Sequence, residues 1–146
     1  MPGFLMLPSP KQIKYMSSEK FSIKARIRSF RYAFRGISIL VREEHNARIH
    51  TVAAVAAVAA GIWLGISATE WAVVAVCIAA VTAAEAVNSA VEALCDKVSP
   101  SYDPLIGKAK DLAAAAVLLT ATGALAAGLV IFVPKLMAIA GIGDLC

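Results

Sequence analysis

Three long apolar segments occupy most of the chain after its first third, at residues 49–66, 71–94 and 109–133. Each has about the 18 or more largely apolar residues that a helix needs to cross the hydrocarbon core of a bilayer. A backbone inside lipid must satisfy its own hydrogen bonds, which favours helices over irregular segments. The pattern therefore predicts an all-α membrane protein with three spans, the last of which ends at Pro134.

The segment before the first span, residues 21–48, alternates basic and apolar residues at helical spacing. This pattern is typical of an amphipathic helix that lies in the plane of the membrane surface. Its two opposed stripes consist of Phe30, Phe34, Ile37 and Val41 on the apolar side and of Arg28, Arg31, Arg35 and Arg42 on the basic side. Three prolines interrupt residues 1–19, so we expect a flexible leader there and a single membrane domain over residues 20–146.

Composition and charge agree with this interpretation and add an orientation. Of the 146 residues, 60% are hydrophobic and only 16% are charged, which is unusual for a soluble domain. Ten of the fourteen Lys and Arg residues precede residue 50, and the turn between the first two spans has none. The positive-inside rule then places the amino terminus and the second loop in the cytoplasm. A nucleic-acid partner is the weaker explanation of the net charge of +4, because the rest of the chain is too apolar for water.

Four polar residues recur on one face of the second span. Glu85, Asn88, Glu92 and Asp96 are spaced by three, four and four residues, which aligns them on a helix. Such groups are expensive to bury in a membrane and usually face protein or a polar cavity. The stripe alone is compatible with a divalent-cation and phosphate site, with a proton or ion pathway, or with structural contacts between helices.

Two further polar sets lie at the same membrane level and favour the first of these explanations. They are Glu44, Asn46, Arg48 and His50 before the first span, and Lys108, Lys110 and Asp111 at the start of the third. Carboxylates from separate helices can share Mg²⁺, which takes one or two protein carboxylates together with phosphate and water. Arg48 and Lys110 are suited to phosphate oxygens, and Glu85 is placed to accept a proton from a lipid hydroxyl. The chain has no Walker A sequence, so a nucleotide site would be unconventional.

At this point the motifs resemble a known family. The pattern Glu85-x-x-Asn88-x-x-x-Glu92-x-x-x-Asp96, followed by Ala109-Lys110-Asp111, is similar to the prokaryotic diacylglycerol kinase family. The resemblance extends over roughly residues 25–133. It implies a homotrimer of three-span subunits with amphipathic amino-terminal helices, and a site shared between neighbouring subunits.

The resemblance also implies roles for individual residues. Glu85 matches the general base and Asn88 an adjacent amide, while Glu44 and Glu92 match the glutamates that bind the metal. The positions that match nucleotide-binding residues are Tyr32, Lys110, Asp111 and Asp96. Arg48 is assigned to the phosphate or to the lipid head. His50 is a candidate for the same substrate contacts, and a structural role at the entrance of the span is its alternative.

These inferences predict an ATP- and Mg²⁺-dependent lipid kinase in the bacterial cytoplasmic membrane, with its site facing the cytoplasm. Diacylglycerol is the first acceptor to expect, and the product would be phosphatidic acid. The second is undecaprenol, because the pattern Glu44-x-Asn46-x-Arg48-x-His50 resembles the branch that includes undecaprenol kinases. A small oligomeric transporter of ions or protons is the rival from another class, and a scaffold without activity is a further one.

Overall fold

A computed structural model describes residues 22–99, 101 and 103–141, so the predicted leader at residues 1–19 lies outside the described part. The described residues form four helices, which are α1 (Ile23–Glu43), α2 (His45–Leu64), α3 (Ala68–Val98) and α4 (Pro104–Ile139). Helices α2, α3 and α4 are long and apolar enough to cross a membrane. The prediction of an all-α protein with three membrane helices is therefore confirmed.

The chain divides into two compact units, residues 1–35 and residues 36–146, with the division inside α1. The described part of the first unit is the amino-terminal part of α1, which carries Tyr32. The second unit contains the end of α1 and all three membrane-length helices. Every other candidate residue belongs to this second unit.

The junction between α1 and α2 differs from the predicted one. A continuous helix was expected over residues 21–48, but Glu44 is extended, with φ −93° and ψ 120°, and α2 begins at His45. Glu44 is the N-cap of α2, yet its side chain makes no capping hydrogen bond. No glycine or proline marks this break in the sequence. Because its side chain makes no capping bond, the Glu44 carboxylate remains available for other contacts.

The turn between α2 and α3 is specified by its sequence. Gly65 has φ +62°, a conformation that favours glycine, and Ile66 donates its backbone N–H to the carbonyl of Gly61 at 3.2 Å. Ser67 and Glu70 then form a reciprocal capping box at the start of α3. These two caps turn the chain within three residues and make α2 and α3 neighbours.

A small apolar core packs next to this turn. Ile66, Val74 and Ile131 are buried together, which joins the turn and α3 to α4. Trp71 packs against Gly61, where an added Cβ would lie 2.9 Å from the indole ring. The absence of a side chain at position 61 therefore sets how closely α2 approaches α3.

Helix α4 does not end where the sequence pattern suggested. The prediction that the last span stops at Pro134 was wrong, because the helix continues to Ile139 with Pro134 inside it. A proline removes one backbone hydrogen bond, which long membrane helices tolerate through local adjustment. Lys135 lies 3.2 Å from Glu70, and this ion pair joins the end of α4 to the start of α3.

The described residues leave most of the apolar surface of the three membrane-length helices uncovered. Within the most apolar stretch of each membrane-length helix, no more than 22% of the residues are buried. Leu118, Leu119 and Val130 of α4 are among the exposed apolar side chains. Lipid or other protein chains must cover this surface in the membrane.

Candidate active site

The polar stripe of α3 passes from buried to exposed along the helix. Glu85 is 3% exposed and Asn88 is 8% exposed, and within the described part of the chain these are the buried polar or charged residues. Glu92 is partly buried and Asp96 is exposed. At 1.5 Å per residue, the stripe extends over about 16 Å. It therefore connects the interior of the three-helix unit with its polar end.

Glu85 contacts a residue of a different helix. His50 of α2 places its Nε2 3.2 Å from Oε1 of Glu85, within ion-pair distance. The same oxygen has no hydrogen-bond partner, so the two groups are close but not aligned for a hydrogen bond. Glu85 also interacts electrostatically with Glu44 and Glu92. The break before α2 thus brings the Glu44 carboxylate into the same electrostatic environment as two carboxylates of α3.

Asn88 is oriented by its neighbour one turn further along the helix. Its Nδ2 donates to Oε1 of Glu92 at 2.9 Å, and this bond fixes which side of the amide carries the oxygen. The amide oxygen, Oδ1, is buried and has no hydrogen-bond partner. Buried polar atoms are nearly always paired, so the unpaired oxygens of Glu85 and Asn88 are suited to receive a donor or a cation.

Lys110 joins α4 to the exposed end of the stripe. Its Nζ donates to Oδ1 of Asp96 at 2.8 Å, and it also interacts electrostatically with Glu92. The Lys110 side chain is 38% exposed and that of Asp96 is 71% exposed. A pair this exposed adds little to stability, so an anionic ligand can separate it at little cost.

Two predicted residues have no polar side-chain contact with this cluster among the described residues. The side chains of Arg48 and Asp111 are exposed and make no hydrogen bond or ion pair with other residues of the described part. Tyr32 lies on α1 in the first unit, so its role stays a prediction. Nor do the described residues contain a group of three or more His, Cys, Asp or Glu side chains arranged to hold a metal ion.

The model of the family described as prokaryotic diacylglycerol kinase matches residues 31–132. The chain belongs to the prokaryotic diacylglycerol kinase family. The matched segment includes every candidate residue, from Tyr32 to Asp111. Family membership, which the motif of α3 and the start of α4 predicted, is confirmed.

The names of curated relatives of this diacylglycerol kinase family member specify two different lipid acceptors. The chain is 37% identical to the undecaprenol kinase of Bacillus subtilis over 109 residues, which are 75% of this chain and 89% of that protein. It is 39% identical to a diacylglycerol kinase of Synechocystis over 112 residues, or 76% of this chain and 64% of that protein. It is 32% identical to the Escherichia coli diacylglycerol kinase over 93 residues, or 64% of this chain and 76% of that protein.

Sequence reasoning missed two features of this family member. One is the contact between His50 and Glu85, since His50 had been assigned to the lipid head. The other is an apolar groove of about 730 Å³ formed by α2, α3 and α4, to which His50 contributes. Thr82 and Thr122 also line it, but each hydroxyl donates to a carbonyl of its own helix at 2.7 Å. The groove therefore presents an almost entirely apolar surface beside the buried carboxylate.

Proposed function

We propose that this chain is an integral-membrane lipid kinase that transfers the γ-phosphate of ATP to the hydroxyl group of diacylglycerol, giving phosphatidic acid. The observation that carries the proposal is the buried carboxylate of Glu85, which has an oxygen without a hydrogen-bond partner inside a membrane-length helix. Membership of a kinase family supports the choice of reaction. The apolar groove beside the site supports a lipid acceptor over a water-soluble one.

Glu85 acts as the general base in this proposal. Phosphoryl transfer needs the attacking oxygen to be oriented and relieved of its proton as the new O–P bond forms. The unpaired Oε1 of Glu85 is available to accept that proton. Asn88 lies one turn away, with its Nδ2 engaged by Glu92 and its Oδ1 free to receive a second donor or a cation. Both side chains are held on the same face of a rigid helix, which favours precise positioning.

Mg²⁺ fits the donor set at this site. Carboxylate and amide oxygens are the ligands that Mg²⁺ prefers, and it completes its octahedron with phosphate oxygens and water. In the proposal, Glu44 and Glu92 hold the metal, and both interact electrostatically with Glu85. When bound, the metal would neutralise charge on the transferred phosphate.

The nucleotide is held at the exposed end of the stripe. Lys110 contacts phosphate oxygens in place of Asp96, whose Oδ1 lies 2.8 Å from its Nζ. Asp111 and Tyr32 are assigned to the nucleotide and Arg48 to the phosphate or lipid head, on the resemblance to the family. The exposure of Lys110 and Asp96 supports this arrangement, because a water-soluble nucleotide must reach its site from the aqueous side.

Undecaprenol is the second candidate acceptor. The specific support is the similarity to the Bacillus subtilis undecaprenol kinase, along 89% of that protein. A long polyprenol would also use an apolar groove, so the groove does not separate the two acceptors.

The proposed setting is a homotrimer in the bacterial cytoplasmic membrane, with α1 lying along the membrane surface and the site facing the cytoplasm. Two observations support it: the basic and apolar residues alternate along α1, and the chain leaves most of its membrane-length surface uncovered. The mass of the complex in detergent, measured by light scattering with the detergent contribution subtracted, tests the trimer. A monomer that retains full activity would contradict a site shared between subunits.

An acceptor comparison tests the proposed function. The purified chain in mixed micelles receives labelled ATP and Mg²⁺ with diacylglycerol or undecaprenol, and kcat/KM is measured for each lipid. A higher value for diacylglycerol supports the first proposal, and a higher value for undecaprenol replaces it with the second. Absence of labelled lipid with either acceptor contradicts both.

A further inference from the structure

We propose that His50 is the positioning residue that holds the Glu85 carboxylate and carries the acceptor proton from it to bulk water. The inference rests on the proposed function, because it concerns the fate of the proton that Glu85 accepts. It replaces the earlier assignment of His50 to the lipid head. The observation behind it is the distance of 3.2 Å between Nε2 of His50 and Oε1 of Glu85.

The two side chains differ in how far the described residues cover them. The Glu85 side chain is 3% exposed, whereas that of His50 is 30% exposed. A proton that reaches Glu85 is therefore enclosed unless a neighbouring group takes it. Imidazole suits this task because its unperturbed pKa lies near neutrality. His50 lies near the amino-terminal end of α2, next to the junction at Glu44, and this end faces the aqueous side in the proposed function.

Other groups near Glu85 are less suited to remove the proton. Among the described residues, the titratable groups that interact electrostatically with Glu85 are His50 from α2, Glu44 from the junction before α2, and Glu92 from its own helix. Glu92 already accepts a hydrogen bond from Asn88 through Oε1, and the amide of Asn88 does not take up protons. In the proposed function Glu44 and Glu92 are also engaged with the metal. His50 is therefore the neighbouring group that can take the proton from Glu85.

The proton balance of the step is simple. The acceptor O–H bond breaks as its oxygen forms a bond to the γ-phosphorus, the bond from that phosphorus to ADP breaks, and the proton passes to Glu85. Glu85 then gives the proton to His50, which becomes an imidazolium and releases one proton to water. Both side chains return to their starting charge after each turnover.

The geometry allows this transfer with a small adjustment. The two groups lie at ion-pair distance but are not aligned for a hydrogen bond. Catalytic hydrogen bonds are often misaligned without substrate and tighten when it binds. His50 also lines the apolar groove, so a lipid chain entering there would contact the imidazole and could improve the alignment.

The test separates proton transfer from simple hydrogen bonding. In His50→Gln, the amide keeps a hydrogen-bond donor of similar reach but cannot carry a proton, so we expect kcat to fall about 100-fold and both KM values to change little. In His50→Ala we expect a similar loss, partly restored by added imidazole, together with a pH–rate profile that no longer shows the histidine. His45→Gln is the matched control, since His45 is exposed at the start of α2 and should leave kcat unchanged.

Three outcomes would overturn the inference. They are a His50→Gln variant with the kcat of the parent, a change in the lipid KM alone, and a loss of kcat in His50→Ala that imidazole does not restore. The last outcome would assign His50 a structural role. If the parent chain transfers no phosphate to lipid, the proposed function fails instead. If the parent is active, Glu85→Gln is inactive and His50→Gln is fully active, only the role of His50 is refuted.

Discussion

Replacing Glu85 by glutamine is the most informative single change in this protein. Glutamine keeps the shape of the side chain and the number of heavy atoms but cannot accept the acceptor proton. General-base catalysis typically contributes about 10²–10⁴-fold to the rate. At about 1.4 kcal/mol for each factor of ten, this corresponds to a rise of roughly 3–5 kcal/mol in the activation barrier. We therefore expect kcat to fall by at least about 100-fold, with the KM for ATP nearly unchanged.

The structure indicates that this loss would not come from unfolding. Glu85 has an oxygen without a hydrogen-bond partner, so the neutral amide removes a buried charge and breaks no hydrogen bond of that oxygen. We expect the free energy of unfolding to change by no more than about 1 kcal/mol. Thermal unfolding in detergent, measured alongside the kinetics, checks this expectation.

A second carboxylate on the same helix gives a matched control. Glu70 precedes Glu85 by fifteen residues, which places it about 22 Å away along α3. It lies in the capping box and in the ion pair with Lys135, far from the polar stripe. Glu70→Gln should therefore keep most of the parent kcat in the same assay of phosphate transfer to lipid. A Glu85→Gln variant that keeps more than half of the parent kcat would refute the role of Glu85 as base.

Three further predictions follow from the packing and charges of the second unit. Lys110→Ala should raise the KM for ATP by about 10- to 100-fold, because charge-assisted hydrogen bonds contribute about 1.5–3 kcal/mol. Lys108→Ala, on the same exposed turn, should leave this KM unchanged. Equal effects of the two substitutions in steady-state kinetics would contradict the assignment of Lys110 to the nucleotide. Gly61→Ala should lower the free energy of unfolding by about 1–3 kcal/mol, since its Cβ would lie 2.9 Å from Trp71. Gly123→Ala has no neighbour within 4 Å of its Cβ and should be neutral or stabilising by up to about 1 kcal/mol, as thermal unfolding can measure. Removing Mg²⁺ with a chelator should abolish lipid phosphorylation reversibly, and activity that persists without divalent cations would exclude the proposed metal.

The sequence pattern predicted the membrane helices well because each signal is local. A long apolar segment in lipid has little alternative to a helix, so three spans could be counted without knowing how they pack. Their ends were less predictable. The break at Glu44 depends on how α1 meets α2, and no glycine or proline marks it. Pro134 suggested an end to α4, but the helix continues through it.

The candidate site, too, could be predicted from the sequence only in part. The common face of Glu85, Asn88 and Glu92 follows from helical spacing alone, and the structure adds that the first two are buried. The contact between His50 and Glu85 could not be predicted, because it depends on how closely α2 approaches α3. That approach is set by the packing at the Gly65 turn, far from both residues along the chain.

The central claim, that the chain phosphorylates a lipid, is tested most directly in vesicles. The purified chain is reconstituted with diacylglycerol, and γ-labelled ATP and Mg²⁺ are supplied while proton and cation flux are recorded. We predict one labelled phosphate in extracted lipid for each ADP formed, without flux. Flux of protons or cations with no labelled lipid and no consumption of ATP would contradict the account and would indicate a transporter.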